Sequence, residues 1–218
     1  MIEHDLNEFA GFNWGEYKTT MAESSSSGNG TPLLNSSVEV YNFDEITKDL
    51  FGKTGNRPSS ADCIFIHDND IDVMEFKAGF HSAEVVRKMD KRDGECPNCE
   101  AYKQKELRAR VLIKAIESYI TLNKQIFPKC KHLKDKVFNL NYKLIIDGEP
   151  LEDMMGIFAN LTKGKKCRLN EADKPLVKEL KQVLNGLVGY KEVNGDKYYY
   201  DTAMVHVNYQ YKRNFLGK

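Results

Sequence analysis

No apolar run in this sequence approaches the ~18 residues that a membrane-spanning helix requires, so no membrane span is expected. The first residues carry acids early, Glu3 and Asp5, and lack the apolar core of a signal peptide, which predicts an intracellular protein. Cysteine is sparse: five residues, an odd number without a regular framework, which fits a reducing compartment better than a disulfide scaffold. There is no charge excess either. With 32 basic and 32 acidic residues, binding to a polyanion can be argued only from local clusters. What is present is ordinary for a globular chain: 218 residues, 41% hydrophobic and 29% charged, enough to bury one full core.

Residues 1–20 scatter Phe9, Phe12, Trp14 and Tyr17 without a sustained period, and Ser24 to Gly30 reads as a linker by composition. Residues 1–36 are therefore expected to form a flexible arm and Ser/Gly linker, with the arm and its sole tryptophan a candidate to dock on the body or on a protein partner. A core over 37–150 follows, then a C-terminal extension over 151–218. In the core, a helix is predicted from Phe43 to Phe51, with Asn42 as N-cap and Glu45 three residues on, as in a capping box. A long helix is predicted from Ala101 to Ile126, where Leu107, Val111, Ala115, Ser118 and Leu122 recur at helical spacing. Lys136 to Asp147 alternates as a strand. The extension reads as helices over Leu151–Leu161 and Lys174–Leu187. A hairpin around Asn194-Gly195 and a strand over 203–211 complete it.

Between the two core helices lies the most informative segment. Ala61-Asp-Cys-Ile-Phe-Ile-His and Ile71-Asp-Val-Met-Glu-Phe-Lys77 are apolar, β-branched runs flanking Asp68-Asn69-Asp70, the pattern of a β-hairpin. With Asp68-Asn69 as the loop, His67 faces Asp70, Ile64 faces Val73, and Asp62 falls opposite Glu75. Directly opposed residues have Cβ atoms about 4.5–5.5 Å apart, so the two carboxylates repel unless a cation lies between them. Lys77 shares their face by strand alternation. An acidic pair with a lysine beside it is what metal-assisted cleavage of a phosphodiester needs.

Asp62 followed by Glu75-Phe76-Lys77 resembles the signature of the PD-(D/E)XK nuclease superfamily, whose fold is restriction-endonuclease-like. Where the name-giving pattern has Pro-Asp, this chain has Ser60-Ala61-Asp62, with Pro58 close by. The predicted order of helix, strand, strand, long helix and strand, over roughly residues 39 to 146, is also that fold's core order. The resemblance implies an α/β (α+β) protein with a central mixed sheet flanked by helices and a C-terminal helix and hairpin extension. It further implies Mg²⁺ or Mn²⁺ held by Asp62, Glu75 and the carbonyl of Phe76, with Lys77 orienting water and stabilising charge. A helical glutamate often joins the metal shell in this family. Glu45 is the candidate, against its simpler role in the capping box.

Two further sets of residues invite chemistry. Lys103, Lys105, Arg108, Arg110 and Lys114 lie along the long helix, and Lys163 to Arg168, with Lys165 and Lys166, forms a compact basic stretch. Lys103, Arg108, Lys165 and Lys166 are candidate nucleic-acid contacts, the alternative being solvated faces. Cys96-Pro-Asn-Cys99 and Cys130-Lys-His132 have zinc-ligand identities. A helix of about 25 residues between them is roughly 37 Å long, which separates the pairs in one chain. Structural Zn²⁺ on Cys96, Cys99 and a neighbour such as His81 is the weaker alternative to free thiols. The expected activity is metal-dependent hydrolysis of nucleic acid, DNA ahead of RNA, with a homodimer left open. The alternatives are an inactive member of that fold, or an interaction or inhibitor protein.

Overall fold

The computed structural model describes residues 13–26, 30–52, 57–78, 97–130, 138–147, 175–188 and 199–216. Among them, six strands form one sheet: β1 (Lys18–Thr20), β2 (Glu39–Asn42), β3 (Cys63–His67), β4 (Asp70–Lys77), β5 (Asn139–Ile146) and β6 (Thr202–Val207). The spatial order is the chain order. β1 to β4 run antiparallel to their neighbours, whereas β4, β5 and β6 are parallel. Parallel neighbours need crossovers, and helices supply them. The helices are α1 (Met21–Ser24), α2 (Phe43–Phe51), α3 (Pro97–Ile120), α4 (Pro175–Asn185) and α5 (Asn208–Phe215). This is an α/β protein whose mixed, open sheet is flanked by helices. No described helix is long and apolar enough to cross a membrane.

Strand alternation divides the sheet into two faces. Ile71 and Val73 of β4, with Leu140, Tyr142 and Leu144 of β5, bury against Val111 and Ala115 of α3 and Leu180 and Leu184 of α4. Met74 and Phe76 point the other way, to Met21, Leu34 and Tyr211. The hairpin has the expected register, with His67↔Asp70, Ile66↔Ile71 and Ile64↔Val73. Asp68 takes φ 48°, a left-handed turn conformation that Asp tolerates. Asn42 caps α2, its Oδ1 accepting from Glu45 N–H at 3.1 Å, and Gly52 at φ 74° ends it. The long helix begins at Pro97, earlier than expected. It continues beyond Ile120 as a π-helical turn (Thr121–Ile126) and a 3₁₀ turn (Phe127–Lys129), where Pro128 stops it.

The N-terminal segment differs most from expectation. Instead of a tether, its described residues belong to the fold. Trp14 is fully buried, edge-on to Tyr41 at 5.4 Å, and β1 pairs with β2. Tyr17 donates to Asp49 of α2 at 2.6 Å, and Thr20 and Glu23 form a capping box for α1. A docking role for an arm therefore cannot use Trp14, which its own core holds.

The strand expected over 203–211 stops at Val207, and the chain turns into α5. Tyr209 and Tyr211 continue a period of two that mimics a strand, but Tyr211 and Phe215, four apart, stack on one helical face. Val188, just past α4, and Tyr200, just before β6, form an isolated parallel bridge. The hairpin expected around Asn194-Gly195, the helix over 151–161, and Cys96, Lys165 and Lys166 lie outside the described residues.

Candidate functional site

The site forms where β4 ends and α3 crosses the sheet. In sheets with parallel strands, ligand sites tend to lie at the carboxyl ends of those strands. Glu75 and Lys77 occupy that end of β4, aligned with Leu144 and Ile146 of β5. Asp62 arrives differently from expectation. The β3–β4 ladder ends at Cys63↔Met74, and Asp62 sits in a bend just before the strand. Its backbone N–H donates to Met74 O at 3.0 Å, and its Oδ2 accepts from Phe76 N–H at 2.7 Å. The carboxylate thus takes a bond that a regular ladder would give to backbone. It is pinned to the strand carrying Glu75.

Both carboxylates then meet one ammonium. Lys114 Nζ of α3 is 2.9 Å from Glu75 Oε2 and 3.3 Å from Asp62 Oδ1. Lys77 Nζ pairs with the other Glu75 oxygen, Oε1. Glu75 is fully buried, whereas Asp62, Lys77 and Lys114 sit at the rim, each side chain between 26% and 28% exposed. Asp62, Glu75 and Lys77 are therefore brought together as expected, and Lys114 joins them. Its place was readable in part, because Lys114 lies on the buried stripe between Val111 and Ser118. The same stripe docks the approach to β3: Ser118 Oγ accepts from Ala61 N–H at 2.8 Å and Glu117 from Ser59 N–H. In Ser118→Ala the buried Ala61 N–H loses its acceptor, so a stability loss of about 1–3 kcal/mol is expected in urea denaturation.

The four charges set the electrostatics. Burial first, and then the charge of Asp62, push the Glu75 carboxyl up to about 7, against the pull of Lys114 and Lys77. For Lys114, burial works against the charge, but Glu75 and Asp62 outweigh it and hold the ammonium above its ordinary value. Tyr142, on the same face and fully buried, is pushed well up by burial and then by Glu75. A raised carboxyl favours the fold at low pH. Its contribution is fully present below the ordinary value of 4.5 and is lost as pH rises through about 7. Across that window Glu75 should remove on the order of 3 kcal/mol of stability. Urea midpoints at about pH 5 and about pH 8 should show this loss in the wild type and not in Glu75→Gln.

Glu45 is held elsewhere. Its carboxylate is half exposed and pairs with Lys48, three residues on in α2. Asp44 is the α2 acid that faces the approach to β3, accepting from Ser60 Oγ at 2.9 Å. Arg108 is half-buried on α3, and the side chain of Lys103 lies outside the described part of that helix. An unbroken helical path from Pro97 to Lys129 separates Cys99 from Cys130, which is buried beneath Ile126. No group of three or more His, Cys, Asp and Glu that could hold a metal ion is drawn together among the described residues. The two carboxylates drawn together, Asp62 and Glu75, are hard oxygen donors, a type suited to Mg²⁺ or Mn²⁺ and not to zinc. No family model matches the chain, and no curated protein or solved structure matches it either.

Proposed function

We propose that this chain is a metal-dependent nuclease of the restriction-endonuclease-like class, hydrolysing phosphodiesters in nucleic acid, DNA ahead of RNA. One observation carries the reading: Asp62 and Glu75 each turn one oxygen to a common cation, with Lys77 beside them. The succession α2, β3, β4, α3, β5, with β5 parallel to β4, agrees with the core order of that class. Asp62 and Glu75, with the carbonyl of Phe76, would hold Mg²⁺ or Mn²⁺. When bound, the ion would supply a Lewis acid for the phosphate and lower the pKa of a water. Phe76 N–H keeps Asp62 aimed, and burial in the sheet keeps Glu75 from turning away. Lys77, fixed by Glu75, orients the water and meets charge developing on the phosphate.

A second reading has one observation in its favour. Lys114 already neutralises the acidic pair, as it would in a member of the fold that binds nucleic acid without cutting it. Digestion of plasmid and single-stranded DNA with Mg²⁺ or Mn²⁺ separates the two. Cleavage by the wild type and not by Asp62→Ala is expected. Intact DNA under both metals would remove the cutting activity from the proposal.

A further inference from the structure

The acidic pair is committed atom by atom to groups of the chain itself. Asp62 Oδ2 is taken by Phe76 N–H, and Glu75 Oε1 by Lys77. The two remaining oxygens, Asp62 Oδ1 and Glu75 Oε2, are both held by Lys114 Nζ. These are the two oxygens through which the pair would grip an ion. A magnesium-sized ion gripped by both oxygens sits about 2.0–2.1 Å from each, in the space between them that the bridging Lys114 ammonium holds, so the two exclude one another there. Charge leads to the same conclusion. With both acids ionised, as metal binding requires, two carboxylates and two ammoniums balance, and a divalent ion added with both lysines in place leaves two uncompensated positive charges. Lys77 obstructs less, since it touches neither of those two oxygens. Lys114 also has somewhere to go: its side chain is 27% exposed, and its stem is long enough to let the head reach water.

We propose that Lys114 is a metal-competing lysine, which holds the acidic pair assembled without an ion and must leave it when a divalent ion enters. This rests on the metal site proposed above. The displaced ammonium is then available to a phosphodiester, so the ion and the nucleic acid favour each other's binding, reciprocally.

Calorimetric titration of the full chain with Mn²⁺ alone, without nucleic acid, tests this on wild type, Lys114→Met and Lys114→Arg. A site competent only when Lys114 is elsewhere has its affinity lowered by that fraction, so Lys114→Met should bind about tenfold tighter or more. Lys114→Arg, which keeps the charge, should bind no tighter than wild type. Equal or weaker binding by Lys114→Met, with wild type still binding, would overturn the competition and leave the metal site standing. No binding by any of the three would overturn both. Should Lys114→Met fail to fold, Lys114→Gln, uncharged but polar, takes its place with the same expected and contrary results.

Discussion

Lys77→Ala is expected to slow DNA cleavage by roughly 10²–10³-fold, the usual cost of one preorganised electrostatic contact to a developing charge. Fold and Mn²⁺ affinity should change little. Lys77 pairs with Glu75 from the rim and is not a ligand, so its loss leaves Lys114 to neutralise the buried acid. The charge it would meet appears on the phosphate only as the bond to water forms, so the deficit belongs to the chemical step. Single-turnover cleavage at saturating Mn²⁺ measures that step, and a thermal melt checks the fold. Wild-type cleavage by Lys77→Ala would remove the lysine from the mechanism. Asp62→Ala should differ in kind, losing metal binding and cleavage together.

On the opposite face of the sheet, Asp72→Ala should cost about 3–5 kcal/mol of stability, the usual effect of breaking a buried ion pair from one side. Asp72 is fully buried, and its Oδ2 pairs with Lys143, itself 7% exposed, and lies 2.9 Å from His67 Nε2. Its Oδ1 accepts from Asn141 at 3.0 Å, and Asn141 in turn accepts from Thr202 Oγ1 at 2.7 Å. Lys143 also sits 4.7 Å from the Phe215 ring centroid and 5.5 Å from that of Tyr211, so α5 closes over it. Removing Asp72 strands that ammonium under two aromatic rings with no anion. Asp72 belongs to the face away from Glu75, so cleavage per folded molecule should survive. Urea denaturation with an unchanged slope and a lower midpoint would record the loss. An unfolding free energy within about 0.5 kcal/mol of wild type would mean the network contributes nothing.

Much of this was readable in the hairpin, because the short Asp68-Asn69 turn fixes the pairing of β3 with β4, and alternation along β4 then sets Glu75 and Lys77 on one face. Hairpin register and the shared face of Glu75 and Lys77 follow from that constraint, and the long helix from its unbroken apolar period. What escaped depends on side chains replacing backbone. Asp62 accepts the Phe76 N–H, which alternation cannot foresee, and so sits in a bend outside the ladder. Lys114 had the right spacing, but a lysine among other basic residues on a helix reads as a wet face until the acids opposite it are located. The segment before Ser37 misled through composition: a Ser/Gly stretch beside scattered aromatics looks like a tether. Yet Trp14 and Met21 are anchored by tertiary packing that no local period records. In α5 Tyr209 and Tyr211 kept the strand period, while the helical pair Tyr211 and Phe215 packs over Lys143.

The central claim is that Asp62 and Glu75 are the grip of a divalent ion. A thermal-shift titration with Mn²⁺, on wild type and Asp62→Ala, tests it most directly, since an ion bound only by the fold raises its stability with concentration. The wild type should be stabilised progressively, and Asp62→Ala should not respond. An unmoved wild type, or an equal rise in Asp62→Ala, would contradict it.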